Sequence, residues 1–198
     1  MTPTAISTNE VLGLLWRVVM LDATAFQELR DTAHLTLIAA GGLVAAVVIA
    51  GFGAWLYSHT VLEGEDFSFV KTVLLGSLFT LILFGAGFGI TYVALTTLLR
   101  IDIAPDALFR LLAAGYLPYA LGLFVCIPEL GFVFGLLSVI AVFYWSLFAL
   151  RAALPAASEL HLAAAVIAGM CLWAVMIPFI SGPGNEFVTG VFVYGLIA

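Results

Sequence analysis

The stretch that decides the fold is AHLTLIAAGGLVAAVVIAGFGAWLY, residues 33–57, which contains no Asp, Glu, Lys or Arg. An α-helix needs about 20 apolar residues to cross the hydrocarbon core of a bilayer. This segment exceeds that length, so it predicts a membrane-spanning helix. Four further apolar segments predict spans at residues 70–99, 111–127, 131–150 and 161–180.

The composition of the whole chain agrees with this pattern. Of the 198 residues, 64% are hydrophobic and only 9% are charged, whereas soluble domains are about 45–50% apolar and about 25% charged. Six basic residues are too few for a phosphate-binding surface, which argues against a nucleic-acid partner. The sequence therefore predicts an all-α integral membrane protein, with the lipid bilayer as its first partner.

The basic residues predict the orientation of these spans. Five of the six fall on one side of the predicted bilayer: Arg17, Arg30, Arg100, Arg110 and Arg151. Cytoplasmic loops are enriched in Lys and Arg, so we expect a cytoplasmic N-terminus and, after five spans, a C-terminus outside. The short loops and the Ala- and Leu-rich spans favour a prokaryotic cytoplasmic membrane.

The chain divides into three predicted parts. Residues 1–32 form a lead-in whose apolar residues recur at helical spacing, which predicts an amphipathic helix in the cytoplasmic interface with Trp16 and Phe26 among the headgroups. A partly inserted hairpin arm is the alternative. Residues 33–180 form the five-helix domain, in which Pro118 is expected to kink the third span. Residues 181–198 form an apolar tail on the outer side.

The predicted spans contain little that could carry chemistry. No Asp, Glu, Lys or Arg lies near the middle of any of them, and such residues usually mark ion or substrate pathways. No protease motif occurs, so no enzymatic activity and no metal site are predicted. His34 and His161 each open a span on the same side, and they are candidates for axial ligands of a haem or pigment. The alternative is an interfacial hydrogen-bonding role, and no cofactor is predicted.

Glycines four residues apart predict close helix packing, because they let another helix approach the backbone. Two such pairs occur, Gly85 with Gly89 and Gly131 with Gly135. They could pack within this chain or form a seam between copies.

Residues 109–130, FRLLAAGYLPYALGLFVCIPEL, resemble the third span of the Yip-domain family of Ypt/Rab-interacting membrane proteins, in which Gly115, Tyr116 and Pro118 match the family's pattern. WSLFALRAAL, which begins at Trp145, is similar to the end of that family's fourth span. The segment LLWRVVMLDATAFQELR resembles the lead-in of its prokaryotic members. The resemblance implies a non-enzymatic membrane protein that acts through partners.

Three functions follow as hypotheses. The first is a membrane scaffold or adaptor, a subunit or accessory protein of a larger assembly, with other membrane-protein subunits as partners. The second is a small-solute channel or transporter, whose path would be lined by polar residues of the second span: Thr72, Thr80, Thr91, Tyr92, Thr96 and Thr97. The third is a haem- or pigment-binding subunit that uses His34 or His161.

Overall fold

A computed structural model describes residues 8–61 and 68–180. The predicted outer-side tail, residues 181–198, lies outside the described residues, as do residues 1–7 and 62–67. The described chain is helical. Its α-helices are α1 (Thr8–Val19), α2 (Ala23–Asp31), α3 (Thr36–Val61), α4 (Gly76–Val93), α5 (Pro105–Gly115), α6 (Gly131–Ala153) and α7 (Glu159–Ile180). A 3₁₀ turn, Ala33–Leu35, precedes α3, and wider π-helical turns flank α4 at Val70–Leu75 and Ala94–Leu98.

Within the described residues, four helical segments are long and apolar enough to cross a membrane. They are Ala33–His59, Val70–Leu98, Pro105–Cys126 and Gly131–Ala153. These segments coincide with the first four predicted spans. Many of their outward side chains are large and apolar, as a lipid-facing surface requires: Val44, Val48, Ile82, Leu136 and Ile140 are all exposed. The predicted class of membrane-spanning helical protein therefore agrees with the structure.

The third of these segments is built differently from the others. It begins at Pro105, earlier than the predicted start at residue 111, because Pro105 occupies the first turn of α5, where its missing N–H costs nothing. After Gly115 the chain continues as a 3₁₀ helix, Leu117–Cys126, with Pro118 in its first turn. Eleven α-helical and ten 3₁₀ residues rise together about 36 Å, enough to cross about 30 Å of hydrocarbon.

The lead-in is two helices, not the single helix that the spacing predicts. Leu21 takes a positive φ of 57° between them, and Asp22 caps α2 by accepting a hydrogen bond from the Thr24 N–H at 2.9 Å. An Asp at this position satisfies one of the N–H groups that a helix start leaves unpaired. The turn lets α1 and α2 pack on different parts of the bundle.

Phe26 was predicted among the headgroups, and the structure corrects this. Its side chain is fully buried, with its ring 5.7 Å edge-on from that of Phe148 in α6. Ala25 and Leu29 are buried beside it, so α2 packs its apolar face onto the protein. Trp16, by contrast, is 63% exposed.

The glycines of the spans pack unequally. A side chain on Gly131 would meet the Val125 carbonyl oxygen at 2.8 Å, and Gly135 is buried one turn later in α6. A side chain on Gly85 or Gly89 would meet no described atom within 4 Å, so the predicted packing role of this pair within the described chain is not seen. The close crossing of α4 with α7 uses Gly87 and Gly169 instead.

Candidate functional site

The most unusual side chain of the described bundle is Arg110. It lies in α5, inside the third apolar segment, and is only 2% exposed. The sequence places it in a loop beside the bilayer, so its burial is a difference from the prediction. A buried guanidinium is costly unless hydrogen bonds satisfy it, and the partners of this one therefore show what it does.

Two of its four partners come from the end of the lead-in. The Arg110 Nε donates to the Leu29 carbonyl, and Nη2 donates to the Arg30 carbonyl at 2.7 Å. Nη1 donates to the Thr36 hydroxyl at 3.1 Å and to the Asp106 carboxylate at 2.8 Å. Leu29 and Arg30 are in the last turn of α2, where carbonyls lack helical partners. Arg110 thus caps the C-terminus of α2 and places its charge at the negative end of the helix dipole.

Side chains of the lead-in make the same kind of contact with the end of α6. Arg30 Nη1 donates to the carbonyl of Ala153 at 2.5 Å, and the Gln27 amide donates to that of Ala152 at 3.4 Å. Both carbonyls belong to the last turn of α6. Helix α2 is therefore capped by α5 and itself caps α6. These two sets of hydrogen bonds join the lead-in to one end of the bundle.

Ion pairs join α1 to α2. Arg17 lies 3.1 Å from the Asp22 carboxylate and 3.0 Å from that of Glu28, and it donates to the Thr24 hydroxyl at 2.8 Å. The Thr24 hydroxyl and N–H, followed by the Arg17 guanidinium, lower the pKa of Asp22. The Arg30 guanidinium likewise lowers the pKa of Asp31. All of these groups are at least partly exposed, so each pair contributes little by itself.

The outward faces of the two helices differ in kind. Helix α1 buries Leu14 and Val18. The helix and the turn residue that follows it expose large apolar side chains: Leu12, Trp16, Val19 and Met20. Helix α2 exposes small or polar side chains: Ala23, Thr24, Gln27, Glu28 and Asp31. We call Ala23, Thr24, Gln27, Glu28 and Asp31 the α2 outer face. It is the polar surface that this end of the bundle presents.

The two candidate histidines lie at the starts of different helical segments. His34, in the 3₁₀ turn before α3, and His161, in the first turn of α7, are both exposed. Among residues 8–61 and 68–180 no group of three His, Cys, Asp or Glu side chains could hold a metal ion.

The residues that carry the family resemblance lie where α5 meets α6. A side chain on Gly115 would meet the Ser146 Cα at 2.8 Å, so only glycine fits this crossing. The Tyr116 ring packs edge-on against Phe84 at 4.8 Å. Pro118 opens the 3₁₀ helix. Trp145 is packed against the core, and its indole N–H has no hydrogen-bond partner within the described chain. These positions shape helix packing and expose no reactive group.

The threonines of the second span also take part in packing. The hydroxyls of Thr80 and Thr96 donate to carbonyls one helical turn earlier, and that of Thr91 donates to the Ala165 carbonyl of α7 at 3.3 Å. Thr72 is buried, whereas Thr97 is exposed. Three of these five threonine hydroxyls thus donate hydrogen bonds to backbone oxygens, which is typical of membrane helix packing.

No family model, curated protein or solved structure matches the chain. The burial of Arg110 has no local sequence signal, since the backbone partners of this residue lie about eighty positions away in the chain. The Asp106–Arg110 spacing of four residues on one helix face is the one hint that the sequence offers.

Proposed function

We propose that the chain is a non-enzymatic membrane scaffold or adaptor of the prokaryotic cytoplasmic membrane, and a prokaryotic-type member of the Yip-domain family. It crosses the bilayer five times, with its N-terminus in the cytoplasm and its C-terminus outside. It serves as a subunit or accessory protein of a larger membrane assembly. Its cytoplasmic contact surface is the α2 outer face.

The observation that carries this proposal is the use made of Arg110. The buried guanidinium donates hydrogen bonds to the last carbonyls of α2, to Thr36 and to Asp106. In a transporter or enzyme such a group would be expected to face a substrate or ion path. Here its charge holds the backbone of a surface helix in a fixed position. A fixed polar surface is what an adaptor needs, because a rigid binding face loses little entropy when a partner binds.

The count of five crossings is supported by α7. Its 22 residues rise about 33 Å, which matches the hydrocarbon thickness. It packs closely on α4, with Gly169 facing Gly87 and Ala165 accepting from Thr91. A helix packed along one of the four long apolar segments has the length and the contacts expected of a further span.

The orientation is supported by the position of the arginines. Arg110 binds the backbone of Arg30, and Arg30 binds the end of α6 two residues after Arg151. Arg17 is tied to α2 through Glu28. The arginines of the lead-in, α5 and α6 thus gather at one end of the bundle, which the positive-inside rule assigns to the cytoplasm.

Co-purification from native membranes in a mild detergent tests the adaptor role. We expect a second polypeptide at stoichiometric amounts with the wild-type chain and with Arg151→Gln, which removes one exposed charge. Arg110→Gln releases α2 and should lose that polypeptide. A wild-type chain that purifies alone as a monomer would contradict the proposal.

A second measurement avoids dependence on a variant that misfolds. A photocrosslinking residue at Ala23, on the α2 outer face, should capture the partner in native membranes. The same residue at Glu129, an exposed position before α6 at the other end of the bundle, is the matched control. Equal capture from both positions, or from neither, would count against a partner on α2.

A further inference from the structure

We propose that α1 lies in the lipid of one leaflet, with Leu12, Trp16, Val19 and Met20 in contact with lipid instead of water or protein. The proposed ligand is the zwitterionic or neutral bilayer surface at the boundary of headgroups and acyl chains. This inference deepens the proposed function and rests on it for the crossing of the bilayer by α3. It divides the lead-in into a lipid-contacting helix and a water-facing helix.

The depth at which α1 packs on the bundle supports its contact with lipid. Leu14, Leu15 and Val18 line a small apolar cavity together with residues of two spans: Ala39, Gly42, Ala114 and Leu117. The Leu15 side chain reaches within 3.7 Å of the place where a side chain on Gly42 would begin. Gly42 is six residues past the start of α3 at Thr36, which is about 9 Å along the helix. Interfacial helices bury their apolar faces about 5–10 Å deep.

The chemistry of the outward face also supports this contact. Leu12, Trp16, Val19 and Met20 are 59%, 63%, 45% and 57% exposed, and their spacing places them on one side of the helix. The opposite side already packs on the bundle through Leu14 and Val18. An apolar face of this size left in water is unfavourable. A tryptophan on such a face is typical of the membrane interface.

The surroundings of α1 indicate that lipid covers its apolar face. The neighbouring surface of α3 is itself apolar and outward, with Leu37 at 84% exposure and Val44 and Val48 exposed further along. Leu15 of α1 packs beside Gly42, which lies between Leu37 and Val44 in α3, so α1 is next to this apolar surface. Residues 8–31 carry two arginines against four acids, Glu10, Asp22, Glu28 and Asp31. This excess of acid leaves no electrostatic reason for an anionic lipid, so apolar contact is the source of binding.

Quenching of a site-specific fluorophore tests the proposal in proteoliposomes of phosphatidylcholine. The full chain carries Cys126→Ala and Cys171→Ala, which remove both free thiols, and a single labelled cysteine at Leu12 or Val19. Lipids brominated in the upper acyl chain should quench these labels several-fold more than aqueous iodide does. A label at Ala23, on the α2 outer face, should show the reverse preference.

A label at Val44 on α3 separates the two proposals. If Val44 is quenched by brominated lipid while Leu12 and Val19 are quenched by iodide as strongly as Ala23, the inference on α1 is wrong and the spans stand. If the label at Val44 is also quenched more by iodide than by brominated lipid, the proposal that α3 crosses the bilayer is wrong. If Leu12 and Val19 resist both quenchers and show energy transfer between copies, a second chain covers α1 and the lipid proposal is overturned. Replacing part of the phosphatidylcholine with phosphatidylglycerol should change none of the expected values.

Discussion

Helices α1 and α2 are neighbours in the chain, separated only by the turn at residues 20–22, yet they meet their surroundings in opposite ways. Each packs one face on the same end of the bundle. The other face of α1 is apolar, whereas that of α2 is polar. If α1 lies in lipid as proposed, the boundary between lipid and water passes between the two helices, and the turn decides which helix can meet a soluble partner.

The two helices are also attached differently. Helix α1 is fixed by apolar contacts of Leu14 and Val18 and by the Arg17 ion pairs. Helix α2 buries Phe26 and Leu29 and adds the hydrogen bonds of Arg110 and Arg30. We therefore expect α2 to behave as part of the folded bundle and α1 to depend on the surrounding membrane.

The largest expected effect comes from Phe26→Ala. Removing a fully buried aromatic ring leaves a cavity beside Phe148 and should lower the free energy of unfolding by about 3–5 kcal/mol. Trp16→Ala, on the exposed face of α1, should change it by less than about 1 kcal/mol in detergent. Denaturant titration of the purified chain in micelles measures both. Equal losses would remove the distinction between the two helices.

The next effect comes from Arg110→Gln. The Leu29 and Arg30 carbonyls lose charge-assisted hydrogen bonds, so the docking of α2 should weaken by about 2–3 kcal/mol. Hydrogen exchange of the α2 amides should accelerate while the central amides of α6 keep their protection. Arg151→Gln breaks an exposed ion pair and should cost no more than about 1 kcal/mol. Unchanged exchange in α2 of Arg110→Gln would contradict the capping role.

A charge on the outward face of α1 should have a smaller effect that depends on the membrane. Trp16→Glu loses the apolar contact of the ring with lipid and should weaken the attachment of α1 by about 1–2 kcal/mol. Protease cleavage of α1 in proteoliposomes should rise as a result. Ala23→Glu adds the same charge to the first turn of α2 and should change cleavage little. If both variants are cleaved alike, the lipid boundary does not separate the helices.

The smallest effect is the pH dependence of the link between α1 and α2. The folded state lowers the pKa of Asp22, so the carboxylate stabilises the link fully above its ordinary pKa of 3.8. This contribution is lost as the pH falls through the lowered, folded value. Hydrogen exchange at the turn, corrected for its intrinsic pH dependence, should show constant protection from about pH 5 to 8 and less below about pH 4. Asp22→Asn should flatten this change, and a loss of protection between pH 5 and 8 would point to another group.

Much of the fold is predictable because crossing a bilayer imposes a length and a polarity that the sequence records directly. The predicted segments 70–99 and 131–150 agree with Val70–Leu98 and Gly131–Ala153 to within a few residues. The sequence pattern misplaces the start of the third segment, because the charges of Asp106 and Arg110 are typical of a loop. Pro105 was the available signal of a helix start.

The site was less predictable because it depends on contacts between distant parts of the chain. Neither the burial of Arg110 nor that of Phe26 follows from local spacing, since a helix pattern does not specify which neighbour covers it. The glycine pattern does not specify a neighbour either: the close crossing of α4 with α7 uses Gly87, which faces Gly169 far along the chain, and a seam between copies at Gly85 and Gly89 stays a prediction. Asp22 was a readable cap that would have divided the lead-in correctly.

We propose that the chain crosses the bilayer an odd number of times, with the Arg110 end in the cytoplasm. Single cysteines in the Cys126→Ala and Cys171→Ala background, labelled in intact cells with a membrane-impermeant maleimide, test it most directly. We expect cysteines at Glu129 and Glu186 to react in intact cells, and cysteines at Ala23 and Ala156 to react only after permeabilisation. Protection of Glu186 together with Ala23 would place both ends of the chain in one compartment and contradict the claim.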